Sequence, residues 1–181
     1  MNGSYQMKVI IVGSTHAGTA AAKQILIRHP ETDVTVYERH DNISFVSSGI
    51  YLYLTGKIKR LEDMFYSSPD DLREMGATVR TQHNVLRIDT AKKTMQVADM
   101  QTGRVFEDDY DKLIMTTGSS VAVPPIIGID QANVLLCKNY QQAQEIYKTA
   151  KDHHHIAVIG AGYMGTELAE SYAETNHEVS L

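Results

Sequence analysis

The alternation of apolar and polar positions changes period twice within the first forty residues. The run VIIV (9–12) is continuously apolar and ends at Gly13, the pattern of a short buried strand. Residues 19–29 are Ala-rich and predict a helix that Pro30 terminates, because proline brings no N–H to the helical ladder. DVTVY (33–37) then alternates as a second strand and delivers Glu38 at its end. Strand, helix and strand in this order predict a β-α-β unit, with parallel strands and a right-handed crossover.

Further along, ISFVSSGIYLYL (43–54) predicts a loop followed by an apolar helix. SPDD (68–71) combines an N-cap serine, a first-turn proline and early acids, and Gly76 is placed to close that helix. Between 77 and 110 the apolar runs shorten to 85–88, 94–97 and 105–106, with turn chemistry at 91–93 and 102–103. This predicts an antiparallel meander inserted into a parallel fold. KLIMTTG (112–118) reads as another buried strand ending at a glycine, and VAVPP (121–125) as extended backbone. A polar helix over 140–150 precedes an apolar strand over 156–159, the turn GAGYMG (160–165), a helix to about Thr175 and the start of a strand at 178–181.

The predicted class is therefore α/β: a Rossmann-like dinucleotide-binding domain with a parallel sheet and an inserted meander over 1–122, then a linker and the start of a second Rossmann-like unit over 123–181. A length of 181 residues suits one full domain and part of another. A net charge of −5 with no basic stripe argues against nucleic acid as the main partner. No stretch is long enough to span a bilayer, and the run at 9–12 is too short for a signal-peptide core. The single cysteine, Cys137, excludes an intramolecular disulfide and points to a reducing, cytoplasmic setting.

Two glycine turns carry the candidate chemistry. Gly160-x-Gly162-x-x-Gly165 follows a strand and opens a helix, the context in which this pattern denotes a dinucleotide site rather than any tight turn. The acidic residue that would hold the ribose of that site falls beyond Leu181. The first turn, GSTHAG (13–18), has Thr15 where the pattern expects its second glycine. Glu38 compensates: 25 positions beyond Gly13 and at the end of the second strand, a carboxylate there can accept ribose hydroxyls while the helix N-terminus faces a pyrophosphate. His16 sits in the same turn, and an imidazole that titrates near neutral pH suits proton transfer beside a redox ring. Three consecutive histidines, 153–155, cannot easily converge on one ion from an extended chain, so no metal site is expected there. Tyr51 and Tyr53 read as packing.

The strings THAGT (15–19), NISFVSSGIYLYL (42–54), MTTGS (115–119) and LCKNY (136–140) resemble the water-forming NADH oxidase and NADH peroxidase group of the pyridine nucleotide-disulfide oxidoreductases. CoA-disulfide reductases are a less close match. The resemblance implies that Gly13, Ser14, Thr15, His16, Ala17, Glu38, Thr116, Thr117, Gly118, Ser119 and Lys138 contact FAD. It further implies that Gly160, Gly162 and Gly165 begin the NADH site and that His16 is the active-site histidine. In that group NADH passes hydride to the flavin, which then reduces oxygen or peroxide with help from a redox-active cysteine.

This chain departs from the group at the cysteine, since Ser48 occupies its position in SSG (47–49). A serine hydroxyl cannot cycle through a sulfenic acid, so the thiolate step is unavailable. Ser14 also replaces a frequent cysteine, and Cys137 reads as a packed residue and a poor substitute nucleophile. Members of the group continue well past position 181, so the chain is expected to be a front portion of such an enzyme, with a non-catalytic FAD- or adenine-nucleotide-binding fragment as the rival reading. Uncovered sheet edges in such a portion predict self-association.

Overall fold

A computed structural model describes residues 6–181. The chain divides into two compact units, one formed by residues up to Phe45 together with Phe65–Gly118, the other by Val46–Met64 together with Ser119–Leu181.

In the first unit, β1 (Lys8–Val12), α1 (His16–Arg28) and β2 (Asp33–Tyr37) form the expected β-α-β unit. β1 pairs in parallel with β2 through Ile10 and Thr35, and with β7 (Lys112–Met115) through Ile11 and Ile114. The sheet order is β3-β2-β1-β7, in which β3 is the three-residue strand Thr78–Arg80. The residues around 78–80 do not join the meander expected from 77 onward; they close the outer edge of the parallel sheet, paired with β2 from Thr35 to Tyr37. Three residues are too few for their period to reveal which sheet they join. The antiparallel sheet proper consists of β4 (His83–Asp89), β5 (Thr94–Asp99) and β6 (Val105–Asp109), with a register shift between Val85 and Arg87. Its turns fall where the turn chemistry lies, with Lys93 and Gly103 at positive φ.

Strand alternation divides the core of this unit into two layers. Val9, Ile11, Val34 and Val36 pack with Ala22 and Leu26 of α1 and with Leu72 of α3 (Pro69–Glu74). Ile10, Val12 and Tyr37, from the opposite face, pack with Met95 and Val97 of the meander and with Tyr110. Ile10, Ile11, Val34 and Val36 have no exposed surface, and each contributes about 1.5–3 kcal/mol by leaving water. A polar link ties the same two strands to the meander. The Tyr37 hydroxyl donates to Asp108 at 2.6 Å, and the Lys8 ammonium also pairs with Asp108. β7 is less buried than its apolar sequence suggested, because it forms the other edge of the four-stranded sheet.

α3 starts as expected. Ser68 accepts from the Asp71 amide at 3.1 Å, the Asp71 carboxylate accepts from the Ser68 amide at 2.9 Å, and Gly76 follows at φ +106°.

The second unit contains α2 (Ile50–Leu54), α4 (Tyr140–Ala150), β8 (His155–Ala157), α5 (Tyr163–Glu174) and β9 (Glu178–Ser180). β8 and β9 pair in parallel through Ile156 and Val179. Residues 46–64 belong here by packing, although in sequence they interrupt the first unit. The Tyr53 and Tyr147 rings lie 4.5 Å apart, Tyr140 donates to Glu62 at 2.9 Å, and Lys57 pairs with Glu174 at 3.7 Å. Such long-range packing leaves no mark on local periodicity. His155 pairs with Glu178 at 3.1 Å, which accounts for one of the three consecutive histidines as a link between β8 and β9. Among the described residues, no helix is long and apolar enough to cross a membrane.

Candidate functional site

The order β3-β2-β1-β7 places successive strands on one side of β1 and β7 on the other. In a parallel sheet, the crevice outside the carboxyl ends of the strands at such a reversal is where ligands bind. Gly13, Glu38 and Thr116 sit at the carboxyl ends of β1, β2 and β7 respectively.

The turn after β1 is closed by backbone contact. Gly13 has φ +94°, and a Cβ there would lie 2.3 Å from the Thr116 carbonyl oxygen. A Cβ on Gly18 would lie 1.9 Å from the Gly13 carbonyl oxygen. The Thr116 hydroxyl donates to the Val12 and Gly13 carbonyls at 3.0 and 2.7 Å. Only glycine fits at both positions, so the turn and the start of α1 approach as closely as their backbones permit.

Glu38 is almost wholly buried, and both of its carboxylate oxygens are engaged by backbone. Oε2 accepts from the Ser14 amide at 2.7 Å and Oε1 from the His40 amide at 2.9 Å. Its own amide donates to the Arg80 carbonyl at 3.0 Å, and its carbonyl accepts from His83 at 2.9 Å. A solvated surface charge would have none of this. Each oxygen keeps further acceptor capacity beyond its one amide.

α1 begins at His16, three residues earlier than the Ala-rich pattern indicated, so His16 is the first helical residue rather than a member of the turn. The turn needs only Gly13 and Ser14 before the chain enters the helix through Thr15. α1 has no side-chain cap and no acid in its first turn, unlike α3 with its Ser68 cap and α4 with Asn139 accepting from Gln142. Its first amides therefore keep the partial positive charge that favours an anion. Thr15, His16 and Ala17 are exposed. Ser14 differs: its fully buried hydroxyl lies 3.3 Å from Thr19 Oγ1, so the side chain serves the core and only the backbone serves the turn.

Sequence reasoning missed Tyr66. Its ring stacks on His16 with centroids 5.5 Å apart and planes within 7°, and its hydroxyl donates to the Thr15 carbonyl at 3.1 Å. Nothing in the local pattern flags a half-exposed tyrosine 50 positions from its partner.

The second unit repeats the device. A Cβ on Gly165 would lie 1.7 Å from the Gly160 carbonyl oxygen, while one on Gly162 would meet nothing within 4 Å. The middle glycine is thus not required by the chain's own packing. α5 also lacks a side-chain cap and an early acid. Ile159 and Tyr163, which flank this turn, are largely exposed.

The remaining candidates are dispersed. Thr117 and Gly118 follow β7 in exposed backbone, Ser119 begins the second unit's long connection, and Lys138 lies half-buried just before α4. Ser48 is exposed within the short 3₁₀ turn Ser47–Gly49 that leads into α2. Cys137 is half-buried, and burial pushes its thiol up to about 11, only partly offset by Lys138, so it is a poor nucleophile at neutral pH.

A parallel β-α-β unit with a glycine turn, a buried carboxylate at the end of its second strand and a second glycine turn of the same build defines a Rossmann-type dinucleotide-binding protein. Residues 7–181 match the pyridine nucleotide-disulphide oxidoreductase model, and the chain belongs to that family. It is 53% identical over 175 residues to an NADH oxidase of Enterococcus faecalis, covering 97% of this chain and 39% of that relative. A water-forming NADH oxidase from Lactobacillus brevis, solved bound to NADH, superposes with a TM-score of 0.94 at 53% identity, over 96% of this chain and 39% of that one. A coenzyme A disulfide reductase of Staphylococcus haemolyticus is 28% identical over 177 residues, 96% of this chain and 40% of the relative.

Proposed function

We propose that the chain forms the front portion of a flavin-dependent NADH oxidase-like oxidoreductase, in which the first unit holds FAD and the second begins the NADH site. The observation that carries this reading is the Ser14–Glu38 contact, which sets a buried carboxylate against the glycine turn. The residues suit a flavin dinucleotide. Glu38 keeps acceptor capacity for ribose hydroxyls, and the uncapped amides at the start of α1 suit a pyrophosphate. Thr116, Thr117, Gly118, Ser119 and Lys138 are the further residues proposed to touch FAD, and Gly160, Gly162 and Gly165 those proposed to admit NADH.

When bound, FAD would supply two-electron chemistry, taking a hydride from NADH and returning the electron pair to oxygen. With oxygen as acceptor the balance is NADH, O₂ and one proton giving NAD⁺ and H₂O₂. His16, exposed at the first position of α1, would hold and deliver the proton that the reduced oxygen requires. Gly13 and Gly18 would keep the turn closed so that backbone amides, rather than flexible side chains, meet the phosphates. Ser48 can donate or accept a hydrogen bond but cannot be oxidised and re-reduced as a thiol, so the reaction stops at peroxide.

A visible spectrum of the purified chain tests the cradle: a yellow protein, or one that takes up added FAD, is the expected result. A colourless, folded chain that takes up no flavin or adenine cofactor would end the reading. In a longer protein carrying Ser48, NADH oxidation should release hydrogen peroxide, and water as sole product would contradict the role given to Ser48.

The serine at position 48, in place of the redox cysteine, favours a second reading, an FAD-binding module without turnover. Bound flavin with no steady loss of the nicotinamide band on adding NADH would identify it. Self-association is proposed on the exposure of Ile127 and Ile159 in the second unit.

A further inference from the structure

Tyr66 is held over the start of α1 by the residues on either side of it, although the residue itself is 47% exposed. Before it, Phe65 forms an antiparallel bridge to Phe45, with ring centroids 5.4 Å apart. After it, the Ser67 amide donates to Ser44 Oγ at 2.9 Å, and the Ser44 hydroxyl donates back to the Ser67 carbonyl. Ser44 is in turn fixed to the glycine turn, its amide donating to the Ser14 carbonyl at 2.8 Å. The segment 65–67 therefore moves with the turn.

From this anchored position Tyr66 acts twice on the same residue. Its ring lies parallel to the His16 imidazole. Its hydroxyl donates to the Thr15 carbonyl, which belongs to the peptide unit that also carries the His16 amide. Partial burial raises the phenol above its ordinary range, so the hydroxyl remains a donor through neutral and mildly alkaline pH. An exposed histidine at a helix start would otherwise sample several rotamers.

We propose that Tyr66 is a positioning residue for His16, fixing both the orientation of the imidazole and the plane of the 15–16 peptide. The inference rests on the reading of His16 as the proton-handling group, but its test does not need flavin.

The experiment compares Tyr66→Phe and Tyr66→Leu with the unsubstituted chain, without added flavin. Readouts are the ring C–H and backbone amide NMR signals of His16, assigned with His16→Gln, and the rate of His16 carbethoxylation by mass spectrometry. Tyr66→Phe should keep the ring signals and shift the amide. Tyr66→Leu should shift both and speed His16 modification roughly two- to tenfold, the factor that loss of an aromatic pair implies. Unchanged ring signals and modification rate in a folded Tyr66→Leu chain, or an unchanged His16 amide in Tyr66→Phe, would overturn the proposal. Should Tyr66→Leu fail to fold, the amide shift in Tyr66→Phe decides alone. If the His16 signals respond as stated while the chain takes up no flavin, the positioning role stands and the flavin reading falls.

Discussion

The Ser14 amide donates to Glu38 Oε2 at 2.7 Å across 24 positions of sequence, joining the turn after β1 to the end of β2. This bond makes Glu38 structural as well as a ligand candidate. Glu38→Ala would leave the Ser14 amide buried without its acceptor, at a cost of about 1–3 kcal/mol. Urea denaturation should register that loss, and FAD titration a larger one in affinity. Unchanged stability would mean that the two amides find other acceptors.

Glycines of the two nucleotide turns, compared with Gly103 of the β5–β6 turn, should separate by role. Gly18→Ala and Gly165→Ala force a Cβ to within 1.9 and 1.7 Å of a carbonyl oxygen, and both should destabilise the fold by about 1–3 kcal/mol or more. Gly162→Ala meets no atom within 4 Å and should fold normally while weakening nucleotide binding at the second turn. Gly103→Ala, also in open space but at φ +74°, should cost only about 1–2 kcal/mol of backbone strain and leave flavin uptake untouched. Thermal unfolding of the set, with binding measured on the folded members, checks the ordering.

Ser48→Cys should introduce a thiol that is more readily labelled than the native one. Ser48 is exposed, whereas burial pushes the Cys137 thiol up to about 11. At neutral pH a maleimide should modify residue 48 well before Cys137, as read by peptide mass mapping. Preferential labelling of Cys137 would contradict the placement of Ser48.

Alkali should weaken the second unit. Cys137 is raised to about 11 and Tyr172 to about 12, each chiefly by burial. The unfolded chain releases these protons near the ordinary values of 9.0 and 10.0, while the folded chain retains them. Their contribution is thus full below pH 9 and is lost as pH climbs through the folded values. The unfolding midpoint should fall between about pH 9 and 12, and Cys137→Ala should flatten the first part of that fall.

Light scattering at high protein concentration checks self-association. Assemblies larger than one chain are expected, and mutation of Ile127, which is fully exposed, together with Ile159 to polar residues should reduce them. A clean monomer at high concentration would remove the prediction.

Much of this chain was legible in its residues. The runs 9–12 and 33–37, the SPDD start of α3, the glycines after β1 and β8, and Glu38 at a strand end are local signals, because periodicity, caps and turns are decided within a few residues. Other features depended on partners far away in sequence. The edge place of Thr78–Arg80, the packing of 46–64 with the second unit, the inward turn of Ser14 and the stacking of Tyr66 on His16 are set by which surfaces meet after the sheet closes. Side chains, turns and carboxylate are written in order along the chain. Their distances from one another come only from the crossing of β1, β2 and β7, which no local pattern specifies.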